Sequence, residues 1–166
     1  MPLERVPPGR REEYLALLLL VDESSRQVQS YMDTGDLYAY SREDAGAMGI
    51  VLTISLDNGD VELKAVAIDQ QWQGQGIGTS MLMETLSELR MRGYKRVIVG
   101  TANAAIGQLA FYQKARFRML RIERDFFSPD RGYREMMMEA GIRLRDMVWM
   151  DLSLMECEAD LISYQT

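Results

Sequence analysis

Histidine is absent from this 166-residue sequence. Its absence excludes catalytic triads with an imidazole base and zinc sites with histidine ligands, so any catalysis must use carboxylates, tyrosine, backbone dipoles or water. We expect no metal. Cysteine occurs once, at Cys157, which excludes an intramolecular disulfide and favours a reducing compartment. We therefore expect a cytoplasmic protein.

Lysine is scarce as well, with Lys64, Lys95 and Lys114 as its three occurrences. The 19 basic residues are scattered among 25 acidic ones, and the net charge is -6. Binding of nucleic acid requires a concentrated basic face, which this pattern does not provide. A basic or neutral small molecule is the easier partner.

Long apolar runs are also missing. The run Leu15–Val21 has seven residues and is too short to span a membrane. Acidic pairs flank it, Glu12-Glu13 before and Asp22-Glu23 after, which favours a buried helix over a signal peptide. We interpret the run as a buried early helix and expect no membrane association.

The length suits one domain covering residues 1–166, since no linker or repeat divides the chain. Two helices come first, to about Val21 and near Ser25–Met32. The later pattern predicts three strands, a helix, a strand, a helix and two strands, at Leu37–Tyr40, Gly49–Leu56, Val61–Ile68, Ile77–Arg92, Arg96–Gly100, Ala104–Lys114, Arg118–Arg124 and Met147–Leu154. This order indicates a mixed α/β sheet with helices on its faces.

The strand Val61–Ile68 alternates regularly. Alternation places Val61, Leu63, Ala65 and Ala67 on one face. It places Glu62 on the opposite face, together with Lys64, Val66 and Ile68.

The stretch Gln71–Thr79 (QWQGQGIGT) carries the most chemical information. Its alternating glycines, Gly74, Gly76 and Gly78, allow a tight turn whose N–H groups can approach a ligand. Because these groups open a predicted helix, the turn is suited to an anion such as a pyrophosphate. A glycine-rich turn without a ligand is the alternative.

The spacing excludes two common phosphate-binding loops. A dinucleotide-binding fingerprint would need a third glycine where Thr79 stands. A Walker A loop would need a lysine, and the stretch contains none.

Two motifs resemble the signatures of the GNAT acetyltransferase superfamily. Gln73-x-x-Gly76-x-Gly78 resembles its pyrophosphate motif, and Asn103 with FYQKARF (Phe111–Phe117) resembles its second signature. The resemblance covers about Leu37–Leu154. It implies a mixed, mainly antiparallel central sheet with helices on both faces. It also implies an acetyl-CoA-dependent N-acetyltransferase acting on a primary amine of a small molecule or peptide, and a possible homodimer.

The resemblance assigns a role to several residues. Backbone groups of Val66, Ala67 and Ile68 would bind the pantetheine arm and the thioester carbonyl, where the strand splays from its neighbour. Asn103 would bond the arm from the other side. Tyr112 would protonate the leaving thiolate and contact the cofactor, although an aromatic residue in a helix is also commonly part of a core. The pyrophosphate would be held by Gln73, Gly74, Gln75, Gly76, Ile77, Gly78 and Thr79.

The general base has three candidate explanations. Glu62 matches the position of a catalytic glutamate in some members of the superfamily. An ion pair with Lys64 would give it a purely structural role instead. Ordered water serves as the proton acceptor in other members.

The stretch from Tyr133 to Met147 is similar to a bacterial subgroup of the superfamily and suggests a segment near the acceptor. Its acids, Glu135, Glu139 and Asp146, would attract a cationic amine or would simply be solvated. Met136, Met137 and Met138 would contact a ligand or fill the core.

One position departs from the second signature, because Arg116 stands where the family usually has glycine. A helix commonly ends there in a left-handed residue, which is strained for a non-glycine side chain. This departure leaves open a non-catalytic acyl-CoA-binding or regulatory module on the same fold. A nucleotide-binding structural domain is the third alternative.

Overall fold

A computed structural model of the chain describes residues 2–21 and 25–155, without the side chains of residues 25–27. Cys157 lies outside the described residues.

Seven of the strands within these ranges form one sheet, in the order β1-β2-β3-β4-β5-β9-β6. Neighbouring strands are antiparallel except for the parallel pair β4 and β5. The remaining two, β7 and β8, form a separate hairpin. The bounds are β1 Leu3–Arg5, β2 Asp36–Arg42, β3 Gly46–Ser55, β4 Asp60–Ile68, β5 Arg96–Ala102, β6 Arg118–Glu123, β7 Met138–Glu139, β8 Ile142–Arg143 and β9 Met147–Ser153.

The α-helices of the described part are α1 Leu15–Leu18, α2 Ser25–Met32, α3 Ile77–Met91 and α4 Ile106–Lys114. A 3-10 helix at Pro8–Tyr14 leads into α1. In α3, apolar residues recur at helical spacing, so one side of the helix is buried: Met81, Leu82, Leu86 and Leu89.

Two hydrophobic cores lie on opposite faces of the sheet. The first contains the apolar side of α3 and Tyr112 of α4, packed on Val61, Leu63 and Val99. The second contains residues of α1 and α2, packed on Leu37, Ile50, Leu52 and Ala65. The mainly antiparallel sheet with helices on both faces is therefore confirmed.

All the predicted strands and helices from α2 onward are present, with ends that differ by a few residues. The turn between β3 and β4 falls between the two predicted strands, with left-handed residues at Asn58 (φ 63°) and Gly59 (φ 83°). Strand β1 and the β7–β8 hairpin were not predicted. They are two or three residues long, which is too short to show a periodic pattern.

The prediction for the first helix was partly wrong. Helix α1 ends at Leu18, and Leu17 and Leu18 are buried as expected. Leu20 and Val21 are instead 49% and 43% exposed, so the apolar run continues past the helix onto the surface.

Candidate functional site

The glycine-rich turn forms the N-terminal end of α3. Gly74 and Gly76 have φ angles of 74° and 78°, which favour glycine, and Gly76 is the N-cap of the helix. The first N–H group to bond back within the helix is that of Ser80, which donates to the Gly76 carbonyl (3.2 Å). The preceding N–H groups therefore have no acceptor inside the helix and can bind an anion.

The space beside this turn is open. A Cβ placed on Gly74 or Gly76 would meet no atom within 4 Å. A Cβ on Gly78 would lie 3.6 Å from Ile68 and Phe111, an ordinary van der Waals contact. The turn is thus a cradle with room for a phosphate group, and Gly74 and Gly76 are required for conformation rather than for packing.

Two glutamine side chains brace the turn. The Nε2 of Gln73 donates to the carbonyl of Ile68 (3.0 Å), and the Nε2 of Gln75 donates to the carbonyl of Gln71 (2.9 Å). These bonds hold the turn in its shape before any ligand arrives.

Strands β4 and β5 pair over only part of their length. In the paired half, Asp60–Leu63 are in register with Arg96–Val99. In the parted half, Ala65–Ile68 and Gly100–Ala102 are separated, although β4 remains paired with β3 as far as Ile68. Beyond Leu63 the edge of β4 that faces β5 has no strand partner, which is the splay that the resemblance implies, although the Ile68 carbonyl accepts a hydrogen bond from the Gln73 Nε2.

A cleft of about 730 Å³ joins the parted half to the glycine turn. The predicted residues that line it are Val66, Ala67, Ile68, Gln73, Gly74, Gly76, Gly78, Thr79 and Tyr112. Those outside the lining are Glu62, Gln75, Ile77 and Asn103. Six further residues line the cleft although the sequence did not predict them: Leu20, Val21, Trp72, Gly107, Gln108 and Phe111.

The cleft wall carries no charged side chain among the described residues. Phosphates bound there would be held by backbone N–H groups and the positive end of α3. The first turn of α4 adds a second set of N–H groups at Gly107 and Gln108, without a side-chain cap. The sequence predicted α4 but did not assign its first turn to the site, because no capping residue marks that turn.

Tyr112 is buried, with 5% of its surface exposed, and it borders the cleft. Phe111 and Phe117 pack edge-on against its ring, at centroid distances of 5.1 and 5.4 Å. Burial raises the pKa of the Tyr112 phenol above its usual value, because the phenolate would be poorly solvated. The phenol is therefore protonated at neutral pH and can act as an acid.

Helix α4 ends in the left-handed residue that the sequence indicated, since Arg116 has φ 73°. The Arg116 N–H donates to the Gln113 carbonyl (2.9 Å), and the Phe117 N–H donates to the Tyr112 carbonyl (3.0 Å). This is the Schellman pattern of helix termination. It brings Phe117 against Tyr112, so the site keeps its geometry with arginine in place of glycine.

The predicted faces of β4 were wrong beyond Leu63. The register with β3 skips Lys64, which is the extra residue of a β-bulge. Val61 and Leu63 therefore share the α3–α4 core with Val66 and Ile68, whereas Ala65 and Ala67 belong to the opposite core. Beyond the bulge, the residues of β4 therefore face the side of the sheet opposite to the one predicted.

Because of this inversion, Glu62 does not share a face with Val66 and Ile68. No ion pair joins Glu62 to Lys64 in the part of the chain that the structure describes. The Lys64 ammonium lies 5.5 Å from the centroid of the Tyr31 ring instead. The structural explanation for Glu62, an ion pair with Lys64, is therefore excluded.

The acidic residues of the segment between β6 and β9 do not form a cluster. Glu135 and Glu139 are exposed. The Asp146 Oδ1 accepts a hydrogen bond from the N–H of Asp125 (2.9 Å), which gives this carboxylate a role in the fold of the segment. Met136 and Met138 are exposed too, so they do not fill the core.

Residues 2–21 and 25–155 contain no group of His, Cys, Asp and Glu side chains that could hold a metal ion. No helix within them is long and apolar enough to cross a membrane.

Residues 11–117 match the sequence profile of the Acetyltransferase (GNAT) family. The uncharacterized N-acetyltransferase YvbK of Bacillus subtilis is 34% identical over 143 residues, which are 86% of this chain and 90% of YvbK. A Bacillus subtilis acetyltransferase in complex with CoA superposes with a TM-score of 0.82 and 31% identity, over 91% of this chain and 97% of that one. A GNAT family acetyltransferase from Elizabethkingia anophelis with acetyl-CoA bound superposes with a TM-score of 0.82 and 30% identity, over 91% of this chain and 96% of that one.

Proposed function

This chain belongs to the GNAT acetyltransferase family, and on that premise we propose that it transfers an acetyl group from acetyl-CoA to a primary amine of a small molecule or peptide. The amine attacks directly in a ternary complex within a single domain. The observation that carries the proposal is one cleft that combines an unpaired strand edge, a glycine cradle and a buried tyrosine.

The chain's own groups offer binding partners for two parts of acetyl-CoA, the pyrophosphate and the pantetheine arm. The N–H groups at the start of α3 would bind the pyrophosphate, with Gly76 giving it room. The unpaired edge at Val66, Ala67 and Ile68 would bond the pantetheine arm as an added strand does. Acetyl-CoA itself supplies the activated acyl group as a thioester.

The tyrosine serves the leaving group. When the amine nitrogen bonds to the acyl carbon and the C–S bond breaks, the sulfur takes the electron pair of that bond. Tyr112 donates its phenolic proton to the sulfur and recovers a proton from solvent. Burial raises the pKa of Tyr112, so the phenol holds its proton at neutral pH but is a weaker acid than in water.

The amine must lose a proton for the reaction to complete. Glu62 is the candidate base, acting through water, because it does not border the cleft itself. Glu62 is one position from the end of the paired half. It lies on the face opposite α3 and α4, which is the side of the sheet away from the phosphate cradle. A water chain without Glu62 is the alternative.

The test is a turnover assay with a panel of amines. Acetyl-CoA is supplied with aliphatic amines, aromatic amines, polyamines, amino acids and peptides, and free thiol is measured against a sample without amine. We expect amine-dependent release of CoA and tight binding of CoA, but not of ATP or NAD, in calorimetry. CoA binding without turnover on any amine would favour a non-catalytic acyl-CoA-binding module.

A cytoplasmic location and a homodimer are further parts of the proposal. The single cysteine supports the first, and the second is an expectation by analogy with relatives. Light scattering of the purified chain measures the assembly directly.

A further inference from the structure

Gly49 of β3 lies beside the end of β4 that borders the cleft. It is buried, and it stands directly opposite Ile68 in the antiparallel register of the two strands. A Cβ at Gly49 would lie 2.6 Å from the Ile68 Cδ1, 2.7 Å from the Ala67 carbonyl oxygen and 2.9 Å from the Met81 Sδ. These distances are too short for a methyl group, so a larger residue requires its neighbours to move.

The requirement at Gly49 is for space, because its backbone is not left-handed. One of the three crowding atoms, the Ala67 oxygen, belongs to the backbone of β4 and can move only if the strand moves. Gly100 of β5 provides a contrast. The three atoms nearest to a Cβ there belong to the side chains of Met147 and Trp149, which can rotate away.

The Ile68 side chain connects Gly49 to the glycine cradle. Its Cγ1 is 3.6 Å from the position of a Cβ on Gly78, in the first turn of α3. That distance is an ordinary van der Waals contact, so the tight contact of Ile68 is the one with Gly49. Because Met81 is also part of α3, the space at Gly49 determines how closely β4 and α3 approach each other.

These two elements carry the two binding surfaces of the cleft. Ala67 and Ile68 line it from β4, and Gly76 and Gly78 line it from the start of α3. A ligand that binds both surfaces at once is sensitive to their spacing, since an ångström of misplacement weakens one contact or the other.

We infer that Gly49 is a positioning residue that sets the distance between the edge of β4 and the glycine cradle, and thereby the affinity for CoA. The inference rests on the proposed function for the parts of CoA that these two surfaces bind. Gly49 does not border the cleft itself and acts through Ala67, Ile68 and Met81.

The experiment compares the wild type with Gly49→Ala, Ile68→Val and the double variant that carries both changes. The double variant removes the Ile68 Cδ1 and adds a methyl group at position 49, so the volume of the contact stays nearly constant. Calorimetric affinity for CoA and melting temperature are measured, and neither needs turnover. Leu89→Ala is the control for lost stability, because Leu89 is fully buried in the same core near the other end of α3 and does not border the cleft.

For Gly49→Ala we expect CoA affinity to fall roughly tenfold or more, because β4 and α3 are pushed apart. For Ile68→Val we expect a fall of about threefold, because the side chain no longer fills the space over Gly49. The double variant should bind CoA at least about threefold more tightly than Gly49→Ala, since the added methyl group takes the space of the removed one. Leu89→Ala should melt at a lower temperature and keep its CoA affinity within about twofold.

Wild-type affinity in Gly49→Ala would overturn the inference, and so would losses that simply add in the double variant. Weaker CoA binding in Leu89→Ala would overturn it as well, because affinity would then follow stability. If Gly49→Ala does not fold, Ile68→Val decides, and wild-type affinity there would refute the role of the contact. Failure of the wild type to bind CoA would instead refute the proposed function, and the inference with it.

Discussion

Strands β4 and β5 are paired in one half of their length and separated in the other, and the two halves use their polar groups differently. In the paired half the backbone groups bond to each other, and Arg96 joins Asp60 to Asp151 across three strands. In the parted half the backbone groups of β4 face a cleft of about 730 Å³.

This difference separates stability from binding. Hydrogen bonds and ion pairs made within the protein stabilise the fold, whereas backbone groups left unpaired at a cleft are free for a ligand. Substitutions in the paired half should therefore change the free energy of unfolding, and substitutions around the parted half should change affinity or turnover. The bulge at Lys64 stands at the boundary, where it ends the regular alternation of β4.

The largest effect is expected for Gly76→Val, beside the parted half. Valine is strained at φ 78°, and its side chain would occupy the open space of the cradle. We expect CoA affinity to fall on the order of 10²-fold or more in calorimetry, with a smaller loss of thermal stability.

Gly78→Ala is the control for that variant. Its Cβ would make only ordinary contacts with Ile68 and Phe111, so CoA affinity should change little. Unchanged affinity in folded Gly76→Val would show that the turn does not bind the pyrophosphate.

Tyr112→Phe tests the chemistry in the cleft. Phenylalanine keeps the ring contacts with Phe111 and Phe117 but has no proton to give. Turnover should fall on the order of 10²-fold, with acetyl-CoA affinity and melting temperature preserved. Because the pKa of Tyr112 is raised, its titration should not appear in the wild-type pH profile between about pH 6 and 9. Wild-type turnover in the variant would make Tyr112 a core aromatic.

Glu62→Gln tests whether the paired half also contributes to the chemistry. If Glu62 is the base, turnover should fall roughly tenfold at neutral pH and recover as pH rises and the amine deprotonates unaided. Lys64→Met is the control, because the Lys64 ammonium lies against Tyr31 and does not pair with Glu62. A loss that is equal at every pH would assign Glu62 to binding or structure.

The glycine turn beside the parted half was predictable from the sequence because its features are local. Alternating glycines before an amphipathic helix indicate a left-handed turn with free N–H groups, and Gly74 and Gly76 adopt it. The strain at Arg116 was predictable for the same reason, since helix ends have a known stereochemistry.

Features that depend on distant parts of the chain were not predictable. The bulge at Lys64 arises from the register with β3, and no residue type in β4 signals it. The exposure of Leu20 and Val21 follows from their place at the cleft, which periodicity does not reveal. The hydrogen bonds of Asn103 to Arg143 and Asp146 span about forty residues of sequence, so these partners emerge only from the fold.

The smallest effect is expected for Arg96→Met, in the paired half. Arg96 donates to the Asp60 Oδ2 through Nη2 (2.7 Å) and Nε (3.1 Å), and its Nη1 donates to the Asp151 Oδ2 (3.3 Å). Its side chain is 39% exposed, so solvent screens the pairs and we expect a loss of only about 1 kcal/mol in the free energy of unfolding by urea. High salt should reduce the difference from wild type. Arg118→Met is the control, because Arg118 lies on β6, on the other side of β9 from Arg96, and makes no ion pair within the described residues. CoA affinity should be unchanged in both variants, because the paired half does not border the cleft. A fall in CoA affinity without a fall in stability would contradict the division of roles between the two halves.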